Sequence, residues 1–94
     1  MIRSFRDRET ERIWNGLGSR RLPPEIQETA LRKLRAINAA EQIEDLRIPP
    51  GNRLEPLSGD RRGQHSVRIN QQWRICLRWR DGGCEDVEIC DYHR

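Results

Sequence analysis

Asp91, Tyr92 and His93 lie in consecutive positions, and Arg74 lies in a strand-like run upstream of them. Together they hold the parts needed to cut an RNA backbone. In that reaction a ribose 2′-hydroxyl loses its proton and attacks the adjacent phosphate. The transition state carries extra negative charge, and the leaving 5′-oxygen needs a proton. An imidazole with an unperturbed pKa near ~6.5 suits His93 to act as base or acid. Asp91 suits orienting that ring or sharing the proton transfer. Tyr92 can stack on a base or donate a hydrogen bond. Arg74 can grip the scissile phosphate and stabilise the developing charge.

These residues need a scaffold, and its elements are legible in the periodicity. Residues 1–5 read as a short edge strand. Asp7 offers a helix N-cap, and Thr10, Ile13, Trp14 and Leu17 follow at i, i+3, i+4, i+7 spacing, which predicts a first amphipathic helix ending near Gly16 or Gly18. Pro23-Pro24 opens a second helix whose apolar stripe is Ile26, Ala30, Leu34 and Ile37. Ala40, Ile43 and Leu46 suggest a further short helical turn before Pro49-Pro50-Gly51-Asn52 breaks the chain. Beyond that point the apolar period changes from 3.6 to 2. Leu54 and Leu57 begin an extended segment, His65 to Ile69 alternates, and Trp73, Ile75, Leu77 and Trp79 alternate with Arg74, Cys76, Arg78 and Arg80. Asp81-Gly82-Gly83 reads as a hairpin turn, and Val87 and Ile89 form the apolar face of a last strand. Helices followed by an antiparallel meander define an α+β fold with helices on one sheet face, as a single domain over residues 1–94.

Strand parity then assigns faces. With the helices on the Val67, Ile69, Trp73, Ile75, Leu77, Trp79, Val87, Ile89 side, the opposite face carries Arg68, Arg74, Arg78 and Arg80. Two hairpin registers satisfy apolar-to-apolar pairing. One sets Arg74 across from Tyr92. The other sets it across from Cys90, one diagonal from Tyr92. Both bring Arg74 to the 91–93 segment at the end of the sheet away from the turn.

Charge is uneven along the chain. Residues 52–80 hold seven arginines (53, 61, 62, 68, 74, 78, 80) against Glu55 and Asp60, whereas residues 81–93 hold five acids and no arginine or lysine. Such a local basic patch, in a chain of net charge +3, fits a partner with aligned phosphates. Arg53, Arg61, Arg62, Arg68 and Arg78 are the candidate residues for binding the phosphates of such a partner, RNA among them. The competing reading pairs the strand arginines with Glu85, Asp86 and Glu88 as solvated ion pairs, and applies more to Arg78 and Arg80 than to Arg61, Arg62 and Arg74. Lys33 is the only lysine among 18 basic residues; a GC-rich genome explains that bias as well as a need for planar phosphate-gripping forks does.

Other chemistries find less support. No stretch approaches ~20 apolar residues, which argues against a membrane span. No leader-like segment opens the chain, and Cys76, Cys84 and Cys90 form an odd set without a CxxC, so reduced thiols in the cytoplasm are expected. The three cysteines with His93 match no standard zinc spacing, so no metal or other cofactor is expected. His65 shares parity with Val67 and Ile69 and reads as a packing histidine; Trp14, Trp73 and Trp79 read as core.

At these same residues the sequence resembles a known family. Met1-Ile2-Arg3-Ser4-Phe5, Pro50-Gly51-Asn52-Arg53-Leu54-Glu55-Pro56-Leu57-Ser58-Gly59-Asp60-Arg61, Ser66-Val67-Arg68-Ile69-Asn70, Gln72-Trp73-Arg74-Ile75-Cys76 and Glu88-Ile89-Cys90-Asp91-Tyr92-His93 look like HigB-type toxins of the RelE/ParE superfamily, often called plasmid maintenance system killer proteins. The resemblance covers essentially the whole chain. It implies a RelE-like fold, with two to three N-terminal helices on one face of a mainly antiparallel four- to five-stranded sheet. It implies metal-independent, ribosome-dependent cleavage of messenger RNA by 2′-hydroxyl attack. The family's Asp-Tyr-His cluster falls on Asp91, Tyr92 and His93, and its strand arginine on Arg74. Where some members carry a catalytic histidine this chain has Glu55, and where some carry a lysine just beyond it has Ser58. Glu55 can accept a proton but cannot supply positive charge. The resemblance also implies a helix-turn-helix antitoxin of the HigA type as partner, the 70S ribosome and mRNA as target, and contact with operator DNA only through the antitoxin. Two other readings are a non-catalytic binder that blocks translation or ribosome assembly by occupancy, and a ParE-like gyrase poison.

Overall fold

A computed structural model describes residues 1–92 of the chain. Two helices come first, α1 (Arg8–Trp14) and α2 (Pro24–Ala39). Asp7 caps α1: its carboxylate accepts from the Thr10 backbone N–H at 3.2 Å and from the Thr10 hydroxyl at 2.6 Å. Such a cap is worth about 1 kcal/mol. The expected stripe holds through Trp14, which packs against the core, but Leu17 is 63% exposed. The helix stops at Trp14, and Gly16 turns the chain at φ 77°, so Leu17 no longer shares the helical face. In α2 the predicted stripe of Ile26, Ala30, Leu34 and Ile37 is buried throughout. Full burial of a side chain such as Leu34 is worth about 1.5–3 kcal/mol. Short 3₁₀ turns follow at Ile43–Arg47, Pro50–Asn52 and Gly59–Arg61.

Four antiparallel strands form one sheet in the order β1 (Glu55–Pro56), β2 (His65–Arg68), β3 (Trp73–Arg80) and β4 (Gly83–Asp91). The architecture is α+β: both helices pack on one sheet face, with Leu34, Ile37, Val67, Ile75, Leu77 and Val87 sealed between the layers. The first residues do not make a regular strand. They bridge the outer edge of β4 in parallel at Ile2–Cys84 and Phe5–Val87, which covers that edge. The β3–β4 turn consists of Asp81 and Gly82, both at positive φ (51° and 78°), the twist a two-residue hairpin needs.

Of the two registers parity allowed, the second is found: Arg74 opposes Cys90. A bulge in β4 makes this compatible with the core. Cys76 pairs with Glu88 but Arg78 pairs with Glu85, so two β4 residues oppose Leu77 alone, and Asp86 sits at φ 54°. The bulge switches parity within β4. Cys84 therefore faces the helices on one side of it, and Val87 and Ile89 do so on the other.

The sheet face opposite the helices is not open along its length. Ser66 and Cys76 are fully buried there, Cys90 is 6% exposed and Arg74 8%. The loop after β1 folds over it: Arg61 reaches Glu88, Gln64 is buried, and Gly63 passes so close to Arg78 that an added Cβ would lie 2.5 Å from Nη1. The Arg78 guanidinium end could swing aside, but φ there is 91°, a conformation that favours glycine. His65 is half-buried, as its parity suggested; its Nδ1 is buried with no hydrogen-bond partner among the described residues.

Candidate functional site

Arg74 is the anchor of the site. Alternation along β3 turns it away from the helices, onto the same face as Ser66 of β2 and Cys90 of β4. Burying a guanidinium is costly unless its donors are paired. Here Nε donates to the Ser66 hydroxyl at 2.6 Å. Nη2 donates to the Arg53 carbonyl at 2.6 Å and lies 3.2 Å from Glu55 Oε1. Among the described residues Nη1 makes no hydrogen bond, and it is not sealed from solvent. The Tyr92 ring stacks beside the guanidinium, its centroid 5.8 Å from Cζ.

The Arg53 carbonyl is aimed at Arg74 by a left-handed backbone, φ 46° and ψ 55°, directly after the Pro50–Asn52 turn. That conformation costs a non-glycine residue of order 1–3 kcal/mol and needs support from its surroundings. Asn52 supplies it. Its buried side chain donates to the Leu46 and Ile48 carbonyls at 3.1 and 3.3 Å and accepts from the Lys33 ammonium.

Beside Arg74 lies an open concavity of about 310 Å³, lined by Arg53, Glu55, Arg68, Asn70, Gln71, Arg74 and Tyr92. Three arginines against one carboxylate make it a basic cup at the sheet end remote from the hairpin turn. Arg68 opposes Arg74 in register and is steadied by donating Nε to the Asn70 carbonyl at 3.1 Å. Two like charges in register repel, and a bound anion would relieve that repulsion.

The fold thus gathers Arg53, Glu55, Arg68, Arg74 and Tyr92 from the residues singled out above. Asp91 falls elsewhere. It opposes Trp73, one residue out of phase with the Arg74–Cys90 pair, and its carboxylate accepts from Gln72 Nε2 at 3.0 Å. The Gln72 carbonyl accepts from the Tyr92 N–H at 2.7 Å, so one residue fixes both ends of that step. His93 lies outside the described residues. Arg61 is engaged with Glu88 at 3.0 Å and with Gln64 at 3.1 Å, so the ion-pair reading given least weight for it is the one found. Arg78 reaches Asp86 at 4.0 Å and Arg80 reaches Glu85 at 3.8 Å, as that reading anticipated. Arg62 is exposed in the loop beyond and does not line the cup.

Ser66, Asn52, Asn70 and Gln71 went unassigned at the level of sequence. Ser66 had a signal: it shares the parity of Arg68 and so faces the arginine side. The others belong to turns, where spacing says little about direction. The three thiols do not converge, because Cys84 faces the helices while Cys76 and Cys90 face the other way. No group of three or more His, Cys, Asp or Glu among the described residues could hold a metal.

Comparison with known proteins adds a second line of argument. Residues 3–93 match the model of the HigB-like toxin family, described as RelE-like toxins of type II toxin–antitoxin systems. Toxin HigB-1 of Vibrio cholerae is 43% identical over 83 residues, 87% of each chain. An uncharacterised Haemophilus influenzae protein is 33% identical over 86 residues, covering 90% of this chain and 85% of that one. Endoribonuclease HigB of Proteus vulgaris is 28% identical over 93 residues, 99% of this chain and all of the relative.

Proposed function

Because the chain belongs to the HigB-like family of RelE-like toxins of type II toxin–antitoxin systems, we propose that it is a ribosome-dependent endoribonuclease that cuts messenger RNA and so arrests translation and growth. The observation that carries this reading is Arg74: a guanidinium immobilised at Nε and Nη2 that lines a basic cup.

In this reading the scissile phosphate lies against Arg74 Nη1, with Arg53 and Arg68 on the flanking phosphates. The 2′-hydroxyl proton passes to the Glu55 carboxylate, the 2′-oxygen attacks phosphorus, and the P–O5′ bond breaks. A 2′,3′-cyclic phosphate and a 5′-hydroxyl result, with His93 supplying the proton to the leaving oxygen. Tyr92 stacks on a base beside the cut. Asp91 orients the His93 ring or shares the proton transfer, and its hydrogen bond from Gln72 anchors the strand end that presents Tyr92. Guanidinium groups carry the charge that a metal carries in other nucleases, so no metal is required. A donor fixed at a developing oxyanion is worth roughly 10²- to 10³-fold in rate.

The family implies a cognate antitoxin, and we take it to be a helix-turn-helix protein that neutralises the toxin and carries the complex to operator DNA. No helix among the described residues is long and apolar enough to cross a membrane.

The test is to map transcript 5′ ends after inducing the wild-type chain, Arg74→Ala and His93→Gln. Cuts within translated codons, absent from both variants, are expected. Arrest without cut transcripts would instead favour inhibition by occupancy, a reading that the Glu55 carboxylate already seated on Arg74 supports. Arrest with inhibited supercoiling by purified gyrase would point to gyrase.

A further inference from the structure

Cys76 and Cys90 lie on neighbouring strands of the face that also carries Arg74. In register Arg74 opposes Cys90 and Cys76 opposes Glu88, so the two cysteines are one diagonal apart with side chains on the same side. Their sulfurs are 3.0 Å apart, and both are free thiols. A disulfide bond is about 2.05 Å long, so closing it needs an approach of only about 1 Å. Cys84, the remaining thiol, is sealed against the helices on the opposite side and cannot compete for either partner.

The surroundings also favour reaction. The Cys90 S–H points at Cys76 Sγ and pulls the Cys76 pKa below the usual thiol value, with the Arg61 and Arg74 guanidinium groups acting in the same direction against burial and Glu88. A thiolate is the reactive form of cysteine. Cys90 is 6% exposed and Cys76 fully buried, so an oxidant as small as hydrogen peroxide has to enter from the Cys90 side. Nothing in the proposed RNA chemistry uses either sulfur.

We propose that Cys76 and Cys90 form a two-thiol oxidation site that hydrogen peroxide converts into an intrachain disulfide between β3 and β4. In the first step the Cys76 sulfur gives an electron pair to a peroxide oxygen. The O–O bond breaks, and hydroxide leaves and takes up the thiol proton as water. In the second step the Cys90 sulfur attacks the resulting sulfenic acid, the S–O bond breaks, and a second water leaves with the second thiol proton. Two thiols are oxidised by two electrons and one peroxide is reduced to two waters. The site does not depend on the chain being a nuclease.

The experiment treats the purified, folded chain with hydrogen peroxide, quenches and denatures it, alkylates remaining thiols, and maps peptides by mass without reduction. The expected result is loss of two of the three alkylatable thiols, a Cys76–Cys90 linked peptide that dithiothreitol separates, and an alkylated Cys84. The exposed Met1 reports that oxidant was present. A Cys84→Ser chain, whose sulfur lies on the far side of the sheet, is expected to give the same linked peptide. Three alkylatable thiols beside an oxidised Met1, sulfinic or sulfonic acids without the link, or a link only between chains would each overturn the proposal.

Discussion

Arg74 donates its Nε proton to the Ser66 hydroxyl at 2.6 Å, in a buried contact between β2 and β3. With the Arg53 carbonyl taking an Nη2 proton, the guanidinium is held at two corners and offers the third. A side chain already immobilised loses little entropy when it grips an anion. The contact therefore links the packing of the sheet to the chemistry proposed for its rim.

Arg74→Lys keeps the charge but not the planar fork. An ammonium cannot satisfy Ser66 and Arg53 while facing the cup. Cleavage of mRNA in a purified translation mixture should fall roughly 10²- to 10³-fold. Cleavage at the wild-type rate would mean that Arg74 does not touch the reacting phosphate.

Ser66→Ala leaves the Arg74 Nε–H buried without an acceptor, at a cost of about 1–3 kcal/mol in stability by denaturant midpoint. Ser66 is a positioning residue, so kcat should drop about tenfold, the equivalent of ~1.4 kcal/mol, with KM little changed. A rise in KM alone, or stability lost with kcat intact, would count against positioning.

Glu55→Gln tests the carboxylate next to Arg74. As proton acceptor it should be worth about 10²- to 10⁴-fold, so single-turnover cleavage should collapse. RNA affinity should rise, because a negative charge beside the phosphate site is removed. Tighter binding with unchanged cleavage would leave Glu55 only as an occupant of the cup.

Salt separates arginines that face the cup from those paired within the fold. If Arg53, Arg68 and Arg74 each neutralise one phosphate of single-stranded RNA, log affinity should fall with log salt at a slope of about −2. Arg68→Ala should reduce that slope by about 0.7, whereas Arg61→Ala should leave it unchanged, since Arg61 is committed to Glu88. An unchanged slope for Arg68→Ala would return Arg68 to the ion-pair class.

Burial pushes the Cys84 thiol from 9.0 up to about 11. The folded chain thus holds this proton more tightly than the unfolded chain. The stability it contributes is complete below pH 9, declines above it, and is lost as pH rises through 11. The upper bound is about 3 kcal/mol. Wild-type stability should fall more steeply between pH 8 and pH 11 than that of Cys84→Ala. Parallel slopes would show that the thiol ionises as freely folded as unfolded.

Periodicity alone located both helices, because the apolar positions of α2 recur at 3.6-residue spacing whatever they pack against. It missed the early end of α1: Leu17 fits the stripe, but Gly16 turns the chain before it. Parity alone put Arg74 opposite the core, because alternation is a property of any strand. It narrowed its cross-strand partner to Tyr92 or Cys90. The choice of Cys90 came from a bulge at Asp86 that no local pattern announces, since its compensation is the docking of Ser4, distant in sequence: the Ser4 hydroxyl accepts from the Asp86 N–H at 2.9 Å.

The residues able to do chemistry, and the face of the sheet they occupy, follow from residue type and alternation, which are local and carried by the sequence itself. Which arginines stay available to a phosphate does not follow. Arg61 and Arg68 read alike in sequence, yet the fold of the loop after β1 places one on Glu88 and leaves the other at the cup. Only the tertiary structure decides this, because the pairing of a charge depends on which distant segment the chain folds across it, and that is a property of the packed whole.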